Sequence, residues 1–394
     1  MKILITTEWY APTINGVVTS IVNLEKELNR LGHEVRILTL SDRNRSYRRD
    51  HVTYIRSISA GKIYPGVRVT FSKVNRYIEE LEAWKPDVIH SQCEFSTFRI
   101  AKHIAKKCRI PIVHTYHTVY EDYTHYFSPN QKWGKRMVAL FSKRVLNQAS
   151  YVIAPTKKVY SILTGYGVHQ PIEVVPTGID LKRFNLQLSG DEKKRLREKH
   201  NIPIENKVLL SVGRLAKEKN LEEILTFVSN MRNDNLTLLI VGDGPYRSEL
   251  ENIASKLGIT DKVIFVGMIP PEKVASYYQL GDVFVSASNS ETQGLTYIEA
   301  LANGLPALCR RDACLEDVIE DGKNGWQYDS FAQFQEILNS MLRDKDLYRK
   351  LSLHAKEGAI RKYSSVNFAE TLERLYEHTI QNYLHAEEVS VSIK

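Results

Sequence analysis

Two glutamates, Glu291 and Glu299, stand in the segment SETQGLTYIEALANGLP, and a pair of carboxylates invites an acid and base reading. On one helix they would lie roughly 12 Å apart, beyond the roughly 5 to 9.5 Å that hydrolytic pairs use. The spacing therefore speaks for two grips on one extended ligand. Gly294, at the opening of a helix, lets backbone N–H groups approach an oxygen-rich or phosphorylated group. Spacing alone also fits a helix-terminal charge at Glu291 and a solvated face residue at Glu299.

In SVGRLAKEKN a strand ends at Gly213, and Arg214 and Lys219 follow before the next helix. Such cations, together with a helix N-terminus, can neutralise a diphosphate, the Arg as a planar fork and the Lys as a point charge. They equally suit two surface cations in a strand-to-helix loop. The Asn15-Gly16 loop after the first strand is not the GxGxxG fingerprint, which disfavours a nicotinamide oxidoreductase, and no GxxxxGK[ST] supports ATP hydrolysis. In IPIVHTYHTVYEDYTHY, His114, His117 and His125 follow a buried strand without the further ligands of a metal site. A strand-end histidine is commonly structural, but His117 lies where the first domain meets the expected cleft and is read as a contact to a sugar hydroxyl.

QKWGKRMVALFSKRVLNQ reads as a basic amphipathic helix. A helical wheel places Trp133, Met137, Leu140, Phe141 and Val145 on one face, with Lys132, Lys135, Arg136, Lys143 and Arg144 around it. Such a helix suits an interfacial membrane anchor, and also a core helix with solvated cations. RNRSYRR over 43–49 is a second basic cluster.

These residues need elements to hold them. Strands KILITT, HEVRILTL, DVIHSQ, IPIVHTYH and YVIAPT alternate with helical patterns over Val18–Leu31, Thr97–Lys107 and Gln131–Gln148. After a pause at Pro176 and Gly178, a second set runs KVLLSVGRL, LTLLIVGDG, KVIFVGMI and VFVSAS, with intervening helices and one from about Thr296. Alternation of this kind predicts two doubly wound α/β domains of the Rossmann type facing a central cleft, with ligands beyond the carboxyl ends of the strands. The expected divisions are an N-terminal domain over 1–177, a C-terminal domain over 178–364 and a helix over 365–394 returning to the first domain.

The chain has 394 residues, 43% of them apolar and 25% charged, an ordinary globular composition large enough for two cores. No apolar run is long enough to cross a bilayer, and MKILITTEWY lacks a signal peptide's apolar stretch. A cytoplasmic protein is expected, and its four scattered cysteines suit reduced thiols. Residues 1–180 hold 26 Lys and Arg against 15 Asp and Glu, whereas the remainder holds 28 against 31. A basic first half suggests an anionic partner, either nucleic acid or lipid headgroups; no nucleic-acid recognition motif is present.

Over nearly its whole length the chain resembles the large retaining GT-B glycosyltransferase family typified by sucrose synthases, bacterial mannosyltransferases and glycolipid synthases. The Asn15-Gly16 loop, DVIHSQ, IPIVHTYHT, VIAPT, VVPTGID, SVGRLAKEKN, LLIVGDGP, VFVSAS and SETQGLTYIEALANGLP carry the resemblance in order. It implies that Glu291 meets the transferred sugar's hydroxyls, that Glu299 meets the ribose, and that Arg214 and Lys219 meet the donor diphosphate. Gly16 would approach the same phosphates, His117 would face the sugar, and Gln293, Gly294, Leu295 and Thr296 would offer backbone amides. Many members carry E-G-F-G where this chain reads Glu291-Thr292-Gln293-Gly294.

HTYHTVYEDYTHY and SETQGLTYIEAL are similar to the subgroup that glycosylates diacylglycerol or monoglycosyldiacylglycerol in Gram-positive bacteria. That likeness implies a UDP-sugar donor, UDP-glucose or UDP-galactose, with no metal or other cofactor required. It also implies a lipid acceptor and peripheral attachment to the inner face of the cell membrane. The anchor would be Trp133, Lys135, Arg136, Met137, Leu140, Phe141, Lys143 and Arg144, with no nucleic-acid partner. A capsule or cell-wall polysaccharide glycosyltransferase with a polyprenyl-linked or soluble acceptor, and a nucleotide-sugar epimerase, are the alternatives.

Overall fold

The structure is a computed structural model that describes residues 1–13, 15–60, 68–71, 75–121, 124, 130–184, 187–231, 235–288 and 291–392. The chain divides into two compact units, Met1–Gly178 with Ser365–Lys394, and Ile179–Ser364.

In the first unit, β1 (Lys2–Thr6), α1 (Gly16–Arg30), β2 (Glu34–Ser41), β3 (Tyr47–Arg49), β4 (Val52–Arg56), β5 (Ile58–Ser59) and β6 (Arg68–Val69) come first. There follow α2 (Arg76–Trp84), β7 (Val88–Ser91), α3 (Ser96–Cys108), β8 (Ile112–Thr115), α4 (Gln131–Leu146), β9 (Tyr151–Ala154), α5 (Lys157–Gly165) and β10 (Ile172–Val174). The sheet runs β10-β9-β8-β7-β1-β2-β4-β3, parallel except for the β3–β4 hairpin, while β5 and β6 form a separate antiparallel pair.

Alternation within single strands shows how the sheet is covered. Leu4 of β1 packs with Ile89 and Val152 in one core, while its neighbours Ile3 and Ile5 pack with Ile21 and Leu24 of α1 in another. Successive side chains point to opposite faces, so an apolar run such as ILI is stable only where both faces are covered. The second core also takes in Phe368, Leu372, Leu375 and Tyr376 from the last helix of the chain. That helix spans Ser365–Ser392. The Tyr376 hydroxyl lies 2.6 Å from Nδ1 of the buried His90, whose Nε2 lies 2.7 Å from the Thr115 hydroxyl. Burial, and then the neighbouring His117 and His114, hold His90 well below the usual imidazole range.

The second unit contains α6 (Gly190–Lys199), β11 (Lys207–Val212), α7 (Leu221–Asn230), β12 (Leu236–Val241), α8 (Arg247–Lys256), β13 (Val263–Gly267) and α9 (Pro271–Tyr278). It continues with β14 (Val283–Ser286), α10 (Leu295–Ala302), β15 (Ala307–Arg310), β16 (Gly325–Tyr328), α11 (Phe331–Arg343) and α12 (Lys345–Lys362), so the terminal helix is α13. Its sheet is parallel throughout, in the order β13-β12-β11-β14-β15-β16. Val208 and Leu210 of β11 enter one core and Leu209 the other. Strand order reverses between β1 and β7 in the first unit and between β11 and β14 in the second. Loops leaving the carboxyl ends of these pairs are where open sheets of this kind hold ligands.

At the reversal in the first unit the interior is polar. Glu8, just past β1, accepts the Thr97 N–H at 2.9 Å through Oε1, capping α3 from another element. Its Oε2 has no nitrogen or oxygen partner among the described residues. Burial raises the Glu8 carboxyl from 4.5 to about 7; the Thr97 and Cys93 contacts oppose that shift and Glu94 adds to it. Below about pH 4.5 this carboxyl is protonated whether the chain is folded or not. Between about 4.5 and 7 the unfolded chain releases a proton that the folded chain keeps, so stability falls as pH rises, by at most about 3 kcal/mol. Glu8→Gln keeps the acceptor and cannot ionise. Urea unfolding at pH 5 and pH 8 should show the variant gaining on the wild type by up to about 3 kcal/mol at the higher pH. An equal difference at both would mean that Glu8 holds no proton there.

Candidate functional site

In the second unit the candidate residues follow β11 and β14. Beyond β11, the Gly213 N–H bonds the Val241 carbonyl at 3.0 Å, and a Cβ on Gly242 would lie 1.9 Å from Gly213 O. Two strand-end loops thus touch backbone to backbone. Arg214 leaves this contact exposed and pairs with Glu218. A 3-10 turn over Lys217–Lys219 then ends at Asn220, whose left-handed backbone (φ 50) redirects the chain into α7.

Lys219 Nζ donates to Glu291 Oε1 at 2.5 Å, joining residues 72 apart in sequence. Both groups are half-buried, so the pair is screened less than a surface one. An ammonium and a carboxylate side by side can divide a phosphorylated sugar between them, the cation taking phosphate and the carboxylate accepting from hydroxyls.

Glu291 lies in the loop before α10 and Glu299 within α10, so the single-helix geometry assumed for their spacing does not apply. Gly294 is the N-cap, with φ 74, and a Cβ there would meet the Tyr297 ring at 2.7 Å. Glycine is required both by the backbone and by the space. Among the described residues no side chain caps this terminus, which leaves the N–H groups of Leu295 and Thr296 outside the helical ladder and Gln293 buried beside them. Glu299 is not a solvated face residue: it is half-buried and accepts from the Tyr278 hydroxyl at 2.8 Å.

Sequence reasoning missed Glu223, which holds this loop cluster together. One of its oxygens accepts from Asn220 at 3.0 Å and from Arg310 at 2.6 Å, and the other accepts from the Tyr328 hydroxyl at 2.9 Å. Lys219 is therefore fastened through its neighbour to the carboxyl ends of β15 and β16. An acidic residue in a helix's first turn is too common to have singled it out.

In the first unit, Gly16 opens α1, with Asn15 as N-cap accepting the Val18 N–H at 2.9 Å. No acidic side chain stands in that first turn, so the helix dipole is left available to an anion. His117 Nε2 meets Gln92 Oε1 at 2.6 Å. Burial and then His114 lower its imidazole to about 3, so it is neutral at physiological pH, with Nε2–H the donor to Gln92. His114 is turned inward, its Nε2 3.2 Å from Glu94. His125 lies outside the described residues.

Helix α4 buries Gly134, Val138, Ser142, Val145 and Leu146. Trp133, Met137, Leu140 and Phe141 are 58, 45, 63 and 37% exposed. Val145, grouped with them on the wheel, belongs to the opposite, core-facing side. Lys135, Arg136 and Arg144 are exposed and Lys143 half-buried beside this ridge. The other basic cluster sits on and before β3, at the far edge of the sheet from β8 and β9, which α4 connects. There Arg43 covers Tyr47, which stacks on Tyr54 at 4.5 Å. Among the described residues no helix is long and apolar enough to cross a membrane, and no three His, Cys, Asp or Glu gather as a metal site. All four cysteines are free thiols.

Residues 14–183 match the family model described as Glycosyltransferase Family 4, and residues 192–358 match that described as Glycosyl transferases group 1. An alpha-monoglucosyldiacylglycerol synthase of Streptococcus pneumoniae is 34% identical over 95% of this chain and 85% of its own length. One from Acholeplasma laidlawii is 33% identical over 95% of this chain and 96% of its own. Among solved structures, Anabaena HepE in complex with UDP and glucose superposes with a TM-score of 0.76 at 17% identity, over 96% of this chain and 100% of that one. Sucrose-phosphate synthase from Thermosynechococcus elongatus gives 0.76 at 20% identity, over 97 and 99%. With both halves matched and two relatives one-third identical over nearly its full length, the chain belongs to the GT-B glycosyltransferases that join a family 4 half to a group 1 half.

Proposed function

We propose that the chain is a retaining hexosyltransferase that moves glucose or galactose from a UDP-sugar to diacylglycerol or monoglucosyldiacylglycerol, forming an α linkage at the inner face of the cell membrane. The observation that carries this reading is the Lys219–Glu291 pair beside the glycine-capped start of α10. The two one-third-identical relatives, both alpha-monoglucosyldiacylglycerol synthases, support the lipid acceptor.

In this reading Arg214 and Lys219 hold the diphosphate, Glu291 accepts from the sugar's hydroxyls and Glu299 accepts from the ribose. The amides of Gln293, Gly294, Leu295 and Thr296 line sugar and phosphate. Gly16 brings the α1 terminus to the phosphates, and neutral His117 exchanges a hydrogen bond with a sugar hydroxyl without adding charge.

The bond from the anomeric carbon to the diphosphate breaks, and the acceptor oxygen bonds that carbon on the same face. The acceptor's proton passes to the leaving phosphate oxygen. Positive charge fixed at Arg214, Lys219 and the helix termini then meets charge as it develops, commonly the largest catalytic contribution, and no metal is required. UDP-glucose, UDP-galactose and GDP-mannose, each offered with diacylglycerol and with monoglucosyldiacylglycerol and followed to the product's linkage, test the reading. Transfer only to a polyprenyl-linked or soluble acceptor, or epimer formed with no acceptor, would replace it.

Lys219→Ala should lower kcat by about 10²- to 10³-fold while changing the UDP dissociation constant only a few-fold. Small and equal effects on both would remove Lys219 from the transition state. Replacing Trp133, Met137 and Leu140 by Ser and Lys135 and Arg136 by Gln should abolish cosedimentation with phosphatidylglycerol vesicles and leave UDP affinity intact. Unchanged sedimentation would sink the α4 anchor.

A further inference from the structure

Position 95 breaks a local rule. It is the N-cap of α3, where Ser, Thr, Asp or Asn is favoured, yet it holds a phenylalanine that makes no cap bond and is 41% exposed. Capping comes instead from Glu8, whose carboxylate accepts the Thr97 N–H at 2.9 Å. That arrangement frees position 95 for a side chain with another purpose, and a broken local preference met by a compensating device marks a functional position.

The Phe95 ring stacks on Phe141 of α4 at 5.4 Å with planes 19° apart, and meets Tyr120 edge-on at 5.7 Å. The Tyr120 hydroxyl donates to Glu94, whose other oxygen lies 3.2 Å from His114 Nε2. Tyr116 turns its ring edge-on to Tyr120 at 5.9 Å and shares a 3.1 Å hydrogen bond with Ser142 on the buried side of α4. One wall therefore runs from two exposed apolar rings to a tyrosine hydroxyl and a buried carboxylate. Leu140, next to Phe141 in sequence, is 63% exposed.

We propose that Phe95 and Phe141 form the subsite for the acyl-ester portion of a neutral glycerolipid acceptor, directing its free hydroxyl inward along Tyr120. The occupant matches the wall: an amphiphile with apolar chains at one end and a single hydroxyl at the other. Acyl chains remove the apolar area of two exposed rings from water more completely than a water-soluble polyol does. Phe95 stands on α3, so its exposure does not follow from the amphipathic pattern of α4. This inference rests on the lipid-acceptor reading and separates acceptor selection from membrane anchoring, which that reading gives to α4.

The test uses full-length Phe95→Ser and Phe141→Ser with UDP-glucose and UDP-galactose, and dihexanoylglycerol below its aggregation concentration, so that no bilayer is involved. Ser is a favoured N-cap residue, and position 141 is an exposed helix site, so both variants should stay folded. Each should raise KM for dihexanoylglycerol about ten-fold. Their kcat and KM for the donor should stay within about two-fold, and so should the sedimentation of Phe95→Ser, which lies outside α4, with phosphatidylglycerol vesicles. Phe95→Leu, which keeps an apolar surface, should recover most of the acceptor KM and carries the comparison if a Ser variant does not fold. Unchanged acceptor KM in folded variants would overturn the subsite, as would lost vesicle binding with unchanged KM, which would make the rings part of the anchor. Wild-type protein inactive on every diacylglycerol and monoglucosyldiacylglycerol would overturn the lipid-acceptor reading first.

Discussion

A parallel strand with apolar side chains on both faces leaves no room for chemistry along its length. Ile3, Leu4 and Ile5 are all fully buried, as are Val208, Leu209 and Leu210, and each trio divides between two cores. Helices must close both faces, so polar groups on the strands, such as His90 and His114, are buried against partners, and the connections between strands are left to carry the candidate site. Candidate groups in both units follow this constraint. Gly16, Gln92, Glu94 and His117 follow strands of the first unit; Arg214, Lys219 and Glu291 follow strands of the second. The cores fix positions, and the loops supply function.

The loops differ in how they meet their charges. In the second unit a cation and a carboxylate satisfy one another, as do Arg214 and Glu218. The first unit keeps its polar interior by lowering charge: Glu8 is shifted toward its protonated form and His117 toward its neutral form, both chiefly by burial. A neutral imidazole can still exchange hydrogen bonds while adding no field of its own.

Strands with unbroken apolar runs, such as LTLLIV, were legible in the sequence, because a run of that length between turn residues has few other uses. The order of the motifs pointed to the family, which both family models confirm. Elements at the margins were not legible. The short β10, β15 and β16 and the polar α6, which buries none of its residues, carry too little periodicity to stand out. Glu291 and Lys219 could be named one by one, but their pairing spans 72 residues and depends on the order of strands in the sheet. The Glu223 network joins three elements and has no local pattern at all. On α4 the wheel merged two faces, because Val145 lies close in angle to Phe141 yet faces the core.

Phe368, Leu372, Leu375 and Tyr376 complete a core whose other walls come from residues near the start of the chain, among them Ile3 and Ile21. Residues 179–364 form an uninterrupted unit and can settle as soon as they emerge, while the sheet made earliest, covered on that side by α1 alone, still lacks the rest of its cover. Synthesis therefore begins the first unit and finishes it last, and until α13 arrives an apolar sheet face stays within reach of chaperones.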